Sequence, residues 1–144
     1  MRRQGLVLHP IGRVCGNAIQ IHKRWAKGLA GIEGFSHVIV FFWLHKAGKP
    51  RMRIHPRGLK ELPRIGFLAT RTPHRPNPVG MTVVKLRGRR GARLLVEGLD
   101  AWDGTPVLDV KPYTKKESVK KFKIPAWVRR LDSLESDPLR RYGS

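Results

Sequence analysis

Ser36-His37-Val38-Ile39-Val40-Phe41-Phe42-Trp43-Leu44-His45 is a run of β-branched and aromatic side chains bounded by polar residues. Such residues pack well on a pleated surface, and an apolar run without alternation fits a central strand covered on both faces. Working outward, Gly and Pro cut the chain into short pieces, the pattern of a many-stranded β domain. Ala18–His22 and Arg51–His55 alternate apolar with polar residues, so each predicts a strand with one wet and one buried face. Further strands are expected at Ile65–Ala69, Met81–Leu86, Arg93–Glu97 and Val107–Lys111. Gly88-Arg89-Arg90-Gly91 reads as a hairpin turn that would carry two arginines at its tip. Helical signals are few. Trp25–Leu29 suits a single turn, and Pro125 suits the start of a short helix through Leu131. The expected class is all-β (mainly β): a single compact β-barrel with short helical segments, over residues 1–131, followed by a polar tail at 132–144 that frays.

Composition bounds the function. The chain has 144 residues, enough for one real core, with 30 Lys plus Arg against 10 Asp plus Glu and a net charge of +20. Each cation set against a phosphate releases condensed counterions, so nucleic acid is the first partner to consider. A membrane partner is not expected, because no apolar run reaches the ~18 residues that span a bilayer. The single cysteine, Cys15, excludes an internal disulfide framework and argues against a cysteine-based zinc site. A cytoplasmic location and a protein without metal follow as expectations. Nothing near Cys15 would activate a thiolate, so it is read as core.

Two segments carry the chemistry. The first is Gly66-Phe67-Leu68-Ala69-Thr70-Arg71-Thr72-Pro73-His74-Arg75-Pro76-Asn77-Pro78-Val79-Gly80. Its three closely spaced prolines fix φ and lack a donor, so the segment is a stiff loop between two strands. It presents Arg71, His74, Arg75 and Asn77 as ordered polar surface, or else is a structural proline turn with solvated arginines. The second is Gly98-Leu99-Asp100-Ala101-Trp102-Asp103-Gly104-Thr105-Pro106-Val107-Leu108-Asp109-Val110-Lys111-Pro112-Tyr113. Asp103-Gly104 is turn chemistry. Four of the ten acids (Glu97, Asp100, Asp103 and Asp109) lie in or beside it, an arrangement a cationic ligand would favour.

At these segments the chain resembles the TsaA-like (TrmO) family of tRNA methyltransferases. Further similarity lies in Pro10-Ile11-Gly12-Arg13-Val14, in Gly31–His37 and in Trp43-Leu44-His45, in the family's order over most of residues 9–113. The resemblance implies a β-barrel that is neither Rossmann-like nor knotted, usually homodimeric. It implies S-adenosyl-L-methionine as cofactor and tRNA as partner, with a methyl group passing to N6 of threonylcarbamoyl-adenosine at position 37. It further implies that His45, Lys46, Arg71, Met81, Leu99 and Asp100 contact the cofactor, with Asp103 able to share the role of Asp100 in balancing positive charge or holding ribose hydroxyls. Arg71 suits a fork to the cofactor's carboxylate. Arg75 and Asn77 are the catalytic candidates, because a carbonyl there can accept the N–H of the adenine amine. His37 is read as structural. Arg51, Arg53, Arg57 and the Lys115–Lys123 run are candidates for the tRNA backbone.

The chain also departs from the family. Many members carry a Pro-Arg-Gln stretch that lines the cofactor pocket, and the corresponding region, Ile21–Gly28, lacks it. Longer bacterial members carry a C-terminal domain that this short form is expected to lack. Two other readings stand beside the enzyme: a non-enzymatic basic RNA-binding β-barrel, and a methyltransferase acting on a different substrate.

Overall fold

The structure, a computed structural model, describes residues 5–135. Eight strands form: β1 (Gly12–Cys15), β2 (Ala18–Ile21), β3 (His37–Trp43), β4 (Arg53–Ile54), β5 (Ile65–Gly66), β6 (Val79–Arg90), β7 (Arg93–Glu97) and β8 (Pro106–Pro112). One α-helix, α1 (Ala126–Glu135), follows them, with short 3-10 turns between strands. Two compact units result, one from residues 5–47 with 77–117, the other from 48–76 with 118–135.

The first unit is a closed barrel in the order β1-β2-β7-β6-β3-β8, and every pairing in it is antiparallel. Closure leaves no strand edge unpaired. β3 sits between β6 and β8, the central position its composition predicts. Val38, Val40 and Phe42 point inward and are buried with Val14, Ile19, Ile21, Val84, Leu94, Val96 and Val107. Each such side chain contributes roughly 1.5–3 kcal/mol of transfer free energy, offset by conformational entropy.

The opposite face of β3 departs from the expectation of full burial. Phe41 and Trp43 are only partly covered, and their cross-strand neighbours Met81 and Val79 are exposed. The run is apolar on both faces because the barrel carries an apolar strip on its outer wall as well.

Several expected elements shift. β1 was not anticipated as a strand; its glycine and arginine mask the pattern, and Gly12 fits because a Cβ there would collide with the Gln20 carbonyl. The expected strand at Ile65–Ala69 ends at Gly66 and continues as a 3-10 turn at Phe67–Ala69. The β6–β7 turn falls at Gly91-Ala92, because Arg90 pairs with Arg93 and Arg89 with Leu94. The expected tip arginines thereby both stay in β6, and Arg89 pairs with Glu33 at 2.5 Å. The one turn expected at Trp25–Leu29 is a longer 3-10 segment, Lys23–Leu29. β1 and β2 are joined by the two-residue turn Gly16-Asn17, with Gly16 at φ +59°.

In the second unit β4 and β5 pair as a two-stranded ribbon. Leu62 is almost completely buried, and its carbonyl meets Nδ1 of His55 at 2.8 Å. Helix α1 extends past Leu131 to Glu135, so Asp132 is helical; residues 136–144 of the expected tail lie outside the described residues. Arg57 ion-pairs with Glu135 at 3.0 Å, and Arg130 donates to the Glu61 carbonyl at 3.2 Å. Arg57 is the one non-glycine described residue in the left-handed region, at φ +56°.

Candidate functional site

Strand register gathers most of the expected site residues at one end of the barrel. Trp43, the last residue of β3, lies opposite Val79, the first of β6, and the Leu44 N–H donates to the Pro78 carbonyl at 2.8 Å. His45 and Lys46 therefore leave β3 where Asn77 enters β6. Val107 near the start of β8 lies opposite Phe42, which brings the loop at 98–105 to the same end. The Gly16-Asn17 turn arrives there too, since the Gly16 N–H donates to Oδ1 of Asp103 at 2.5 Å.

Chemistry divides these residues. His45, Lys46, Asn77 and Asp100 are exposed, and none has a side-chain hydrogen bond or ion pair among the described residues. His45 thus lies in a turn beyond β3 rather than in the core. Asp103, by contrast, is committed to Gly16. Leu99 packs partly against the core and lines a cavity of about 470 Å³ with Gly16, Asn17, Arg87, Val96, Glu97 and Gly98. The charges on that cavity's wall are internally neutralised, because Arg87 and Glu97 form an ion pair. Met81 stands on the outer wall, 47% exposed and opposite Phe41.

Trp102 was not singled out by sequence reasoning. The residue is 70% exposed, and the Lys46 ammonium stands over its ring, 5.2 Å from the centroid. The available signal was a large aromatic inside a loop otherwise made of small and acidic residues.

The second unit holds Arg71 and Arg75, in the proline-stiffened loop. The loop is stitched to itself. Thr70 Oγ1 donates to the Phe67 carbonyl at 2.9 Å, and Thr70 Oγ1 in turn accepts the Thr72 N–H at 3.3 Å. The His74 N–H donates to Thr72 Oγ1 at 3.2 Å. Arg75 turns back into the loop, its Nη1 donating to the Thr70 carbonyl at 3.0 Å and the Thr72 carbonyl at 3.3 Å. Its guanidinium also lies 5.7 Å from the Phe67 ring centroid. Arg71 is exposed and has no partner among the described residues. Nδ1 of His74 is buried without a hydrogen bond. Arg71, His74, His55 and Arg57 line a cavity of about 880 Å³ together with Trp127, Leu131 and Glu135.

Among the other expected contacts, His37 Nδ1 lies 2.8 Å from Ser36 Oγ and its ring packs edge-on against Tyr113. Arg51 and Arg53 are exposed and form no ion pair among the described residues, whereas Arg57 is engaged with Glu135. The lysines of the 115–123 run are all exposed, beside Val119 and Phe122, which are exposed as well. The Thr114 hydroxyl and then the Thr114 N–H hold the Glu117 carboxyl below the ordinary range, with a smaller contribution from the Lys116 charge. Among the described residues no helix is long and apolar enough to cross a membrane, and no three His, Cys, Asp or Glu side chains gather as metal ligands.

A closed antiparallel barrel with free basic, amide and acidic side chains converging at one end is the setting for comparison with known proteins. The family described as "tRNA-methyltransferase O N-terminal domain" matches residues 9–118, and the chain belongs to that family. A "Probable S-adenosyl-L-methionine-binding protein" of Archaeoglobus fulgidus is 46% identical over 96 residues, which cover 67% of this chain and 26% of that protein. The mouse tRNA (adenine(37)-N6)-methyltransferase is 44% identical over 87 residues, 59% of this chain and 20% of that enzyme. The crystal structure of TrmO from Pseudomonas aeruginosa superposes with a TM-score of 0.67 at 28% identity, covering 85% of this chain and 62% of TrmO. The match thus spans about a quarter, a fifth and three-fifths of these relatives' lengths.

Proposed function

We propose that this protein is an S-adenosyl-L-methionine-dependent tRNA methyltransferase acting on N6 of adenosine 37 in its threonylcarbamoyl form. The observation that carries the reading is the convergence of His45, Lys46, Asn77, Leu99 and Asp100 at one barrel end, in a chain that belongs to the tRNA-methyltransferase O N-terminal-domain family. The residues present fit the cofactor. The donor is a sulfonium cation with an amino-acid end and an adenosine end, and it supplies an activated methyl group when bound. Asp100 offers an unpaired carboxylate for its cationic or hydroxyl groups, and Lys46 an unpaired ammonium for its carboxylate. Leu99 contributes half-buried apolar surface. His45 and Met81 complete the proposed cofactor contacts of the first unit, and Arg71 is proposed as a contact on the family resemblance alone. Asp103 belongs to the set as the residue that holds the loop.

Methyl transfer to nitrogen is an in-line displacement, so positioning supplies much of the acceleration. N6 of threonylcarbamoyl-adenosine carries one hydrogen, and its lone pair is delocalised into both the ring and the carbamoyl carbonyl. The Asn77 side-chain carbonyl, without a partner among the described residues, accepts the N6–H and orients the nitrogen, whose proton passes to water as the methyl bond forms. The Arg75 role in this reading is positional, since its guanidinium holds the carbonyls of Thr70 and Thr72.

The partner is tRNA, met by Arg51, Arg53 and the Lys115–Lys123 run, and the compartment is the cytoplasm. The protein works as a homodimer through the outer strip of Phe41, Trp43, Val79 and Val83. The strip's apolar exposure on a protein of net charge +20 supports that role. Sedimentation of wild type and Val83→Lys tests the dimer, with a monomeric wild type refuting it.

The decisive experiment incubates the protein with labelled cofactor and bulk tRNA from a strain lacking the activity, followed by nucleoside analysis. Label on adenosine 37 is expected. Label on another nucleoside moves the reading to a different substrate. Absence of cofactor binding by calorimetry leaves the basic RNA-binding barrel.

A further inference from the structure

The loop between β7 and β8 holds a tryptophan in water by construction. Gly98 and Gly104 bend the chain at φ +93° and +82°, conformations that favour glycine. Three bonds then lock the far side of the loop: the Gly104 N–H to the Val14 carbonyl at 2.8 Å, the Val14 N–H to the Thr105 carbonyl at 3.0 Å, and Gly16 to Asp103. The Thr105 N–H closes the turn on the Trp102 carbonyl at 3.0 Å. Trp102 is therefore fixed at its backbone while the residue remains 70% exposed. An indole left in water forgoes the burial that normally favours it, and a rigid backbone prevents it from collapsing onto the surface.

The neighbouring charge narrows what the ring receives. Lys46 stands 5.2 Å from the ring centroid and has no carboxylate partner among the described residues. An exposed aromatic ring with a cation over one face, on a protein of net charge +20, matches an unstacked nucleotide, whose base the ring's remaining exposed surface takes. A methyltransferase that modifies an adenine amine must also draw the base out of its stack, at a cost that a waiting aromatic face repays.

We propose that Trp102 is the stacking platform for the acceptor adenine of the tRNA, which it receives on the face opposite Lys46. This rests on the tRNA methyltransferase reading for the identity of the base, and it adds the residue that receives that base.

The test uses the full chain and a synthetic anticodon stem-loop RNA with 2-aminopurine at position 37, a base whose fluorescence is quenched by stacking. Wild type is expected to quench the probe. Trp102→Ala should abolish the quenching and weaken RNA binding roughly tenfold, while Trp102→Phe retains most of both. Affinity for S-adenosyl-L-methionine, read by calorimetry, should stay within about twofold in both variants. Circular dichroism checks that the exposed substitution leaves the barrel folded. Unchanged RNA binding and quenching in Trp102→Ala would overturn the inference, as would failure of wild type to bind or quench the RNA. Equal loss of cofactor affinity would also overturn it, assigning the ring to the cofactor's own adenine. The function reading fails separately: a wild type that binds and quenches the RNA without binding cofactor keeps the platform and loses the methyltransferase.

Discussion

Asp103 and Gly16 are 87 positions apart in sequence and joined by a 2.5 Å hydrogen bond from the Gly16 N–H to Oδ1 of Asp103. The bond ties the acidic loop to the β1–β2 turn and separates the roles of two neighbouring acids. Asp103→Ala should lower stability by about 1 kcal/mol, because a backbone donor loses a charged acceptor at a solvent-exposed site. Asp100→Ala, which removes no internal partner, should leave the denaturation midpoint unchanged and weaken cofactor binding. Urea titration and calorimetry on the two variants check both statements.

Gly80 faces the Phe42 ring inside the barrel, and a Cβ there would overlap three of its ring carbons. Phe42 is nearly completely buried, so it has little room to yield. Gly80→Ala should destabilise the protein by about 1–3 kcal/mol. Adding Phe42→Leu to Gly80→Ala should recover part of the loss, read as a rise in melting temperature over the single variant. No recovery would mean that the strain lies in the backbone.

Arg75 donates from Nη1 to two carbonyls of its own loop, a geometry a lysine ammonium does not reproduce. Arg75→Lys should therefore speed amide exchange across residues 70–76 without changing exchange in the barrel strands. Methylation should fall by about 10- to 100-fold, the scale of a misplaced reactant. Normal loop exchange with reduced activity would instead assign Arg75 to direct contact with substrate.

The Glu33 carboxyl is held below its ordinary value of 4.5 by its own backbone N–H and by Arg89. A depressed folded-state value means that the charged form contributes stability above 4.5, and that the contribution is lost as pH falls through the lowered value. Glu33→Gln should melt below wild type at neutral pH, and the gap should close toward strong acid. Because Glu33 is exposed, salt should narrow the neutral-pH gap as well.

Much of the barrel was legible in local pattern. The apolar run at 36–45, the matched limits of β7 and the helix after Pro125 follow from composition, alternation and proline placement. β1 was not legible, because Gly12 is required by its closeness to Gln20 rather than by any strand propensity of its own. The Gly91-Ala92 turn was misjudged by a few residues because a register shift between Leu86 and Gly88 moves the pairing of β6 with β7. For the site, residue types marked both loops, but not which side chains are spent on structure. Asp100 and Asp103 look alike in sequence, yet one is unpaired and the other is bound to a distant amide.

The sequence by itself determined that this is a basic β protein, and its two rare loops carry the family resemblance, since charge, proline stiffness and side-chain alternation are local properties of the chain. Only the tertiary structure decided that His45, Lys46, Asn77 and the 98–105 loop meet at one barrel end, and that Arg75 is turned inward while Trp102 is held out. Those outcomes depend on strand register and closure, which couple residues far apart in the chain. No local pattern encodes them.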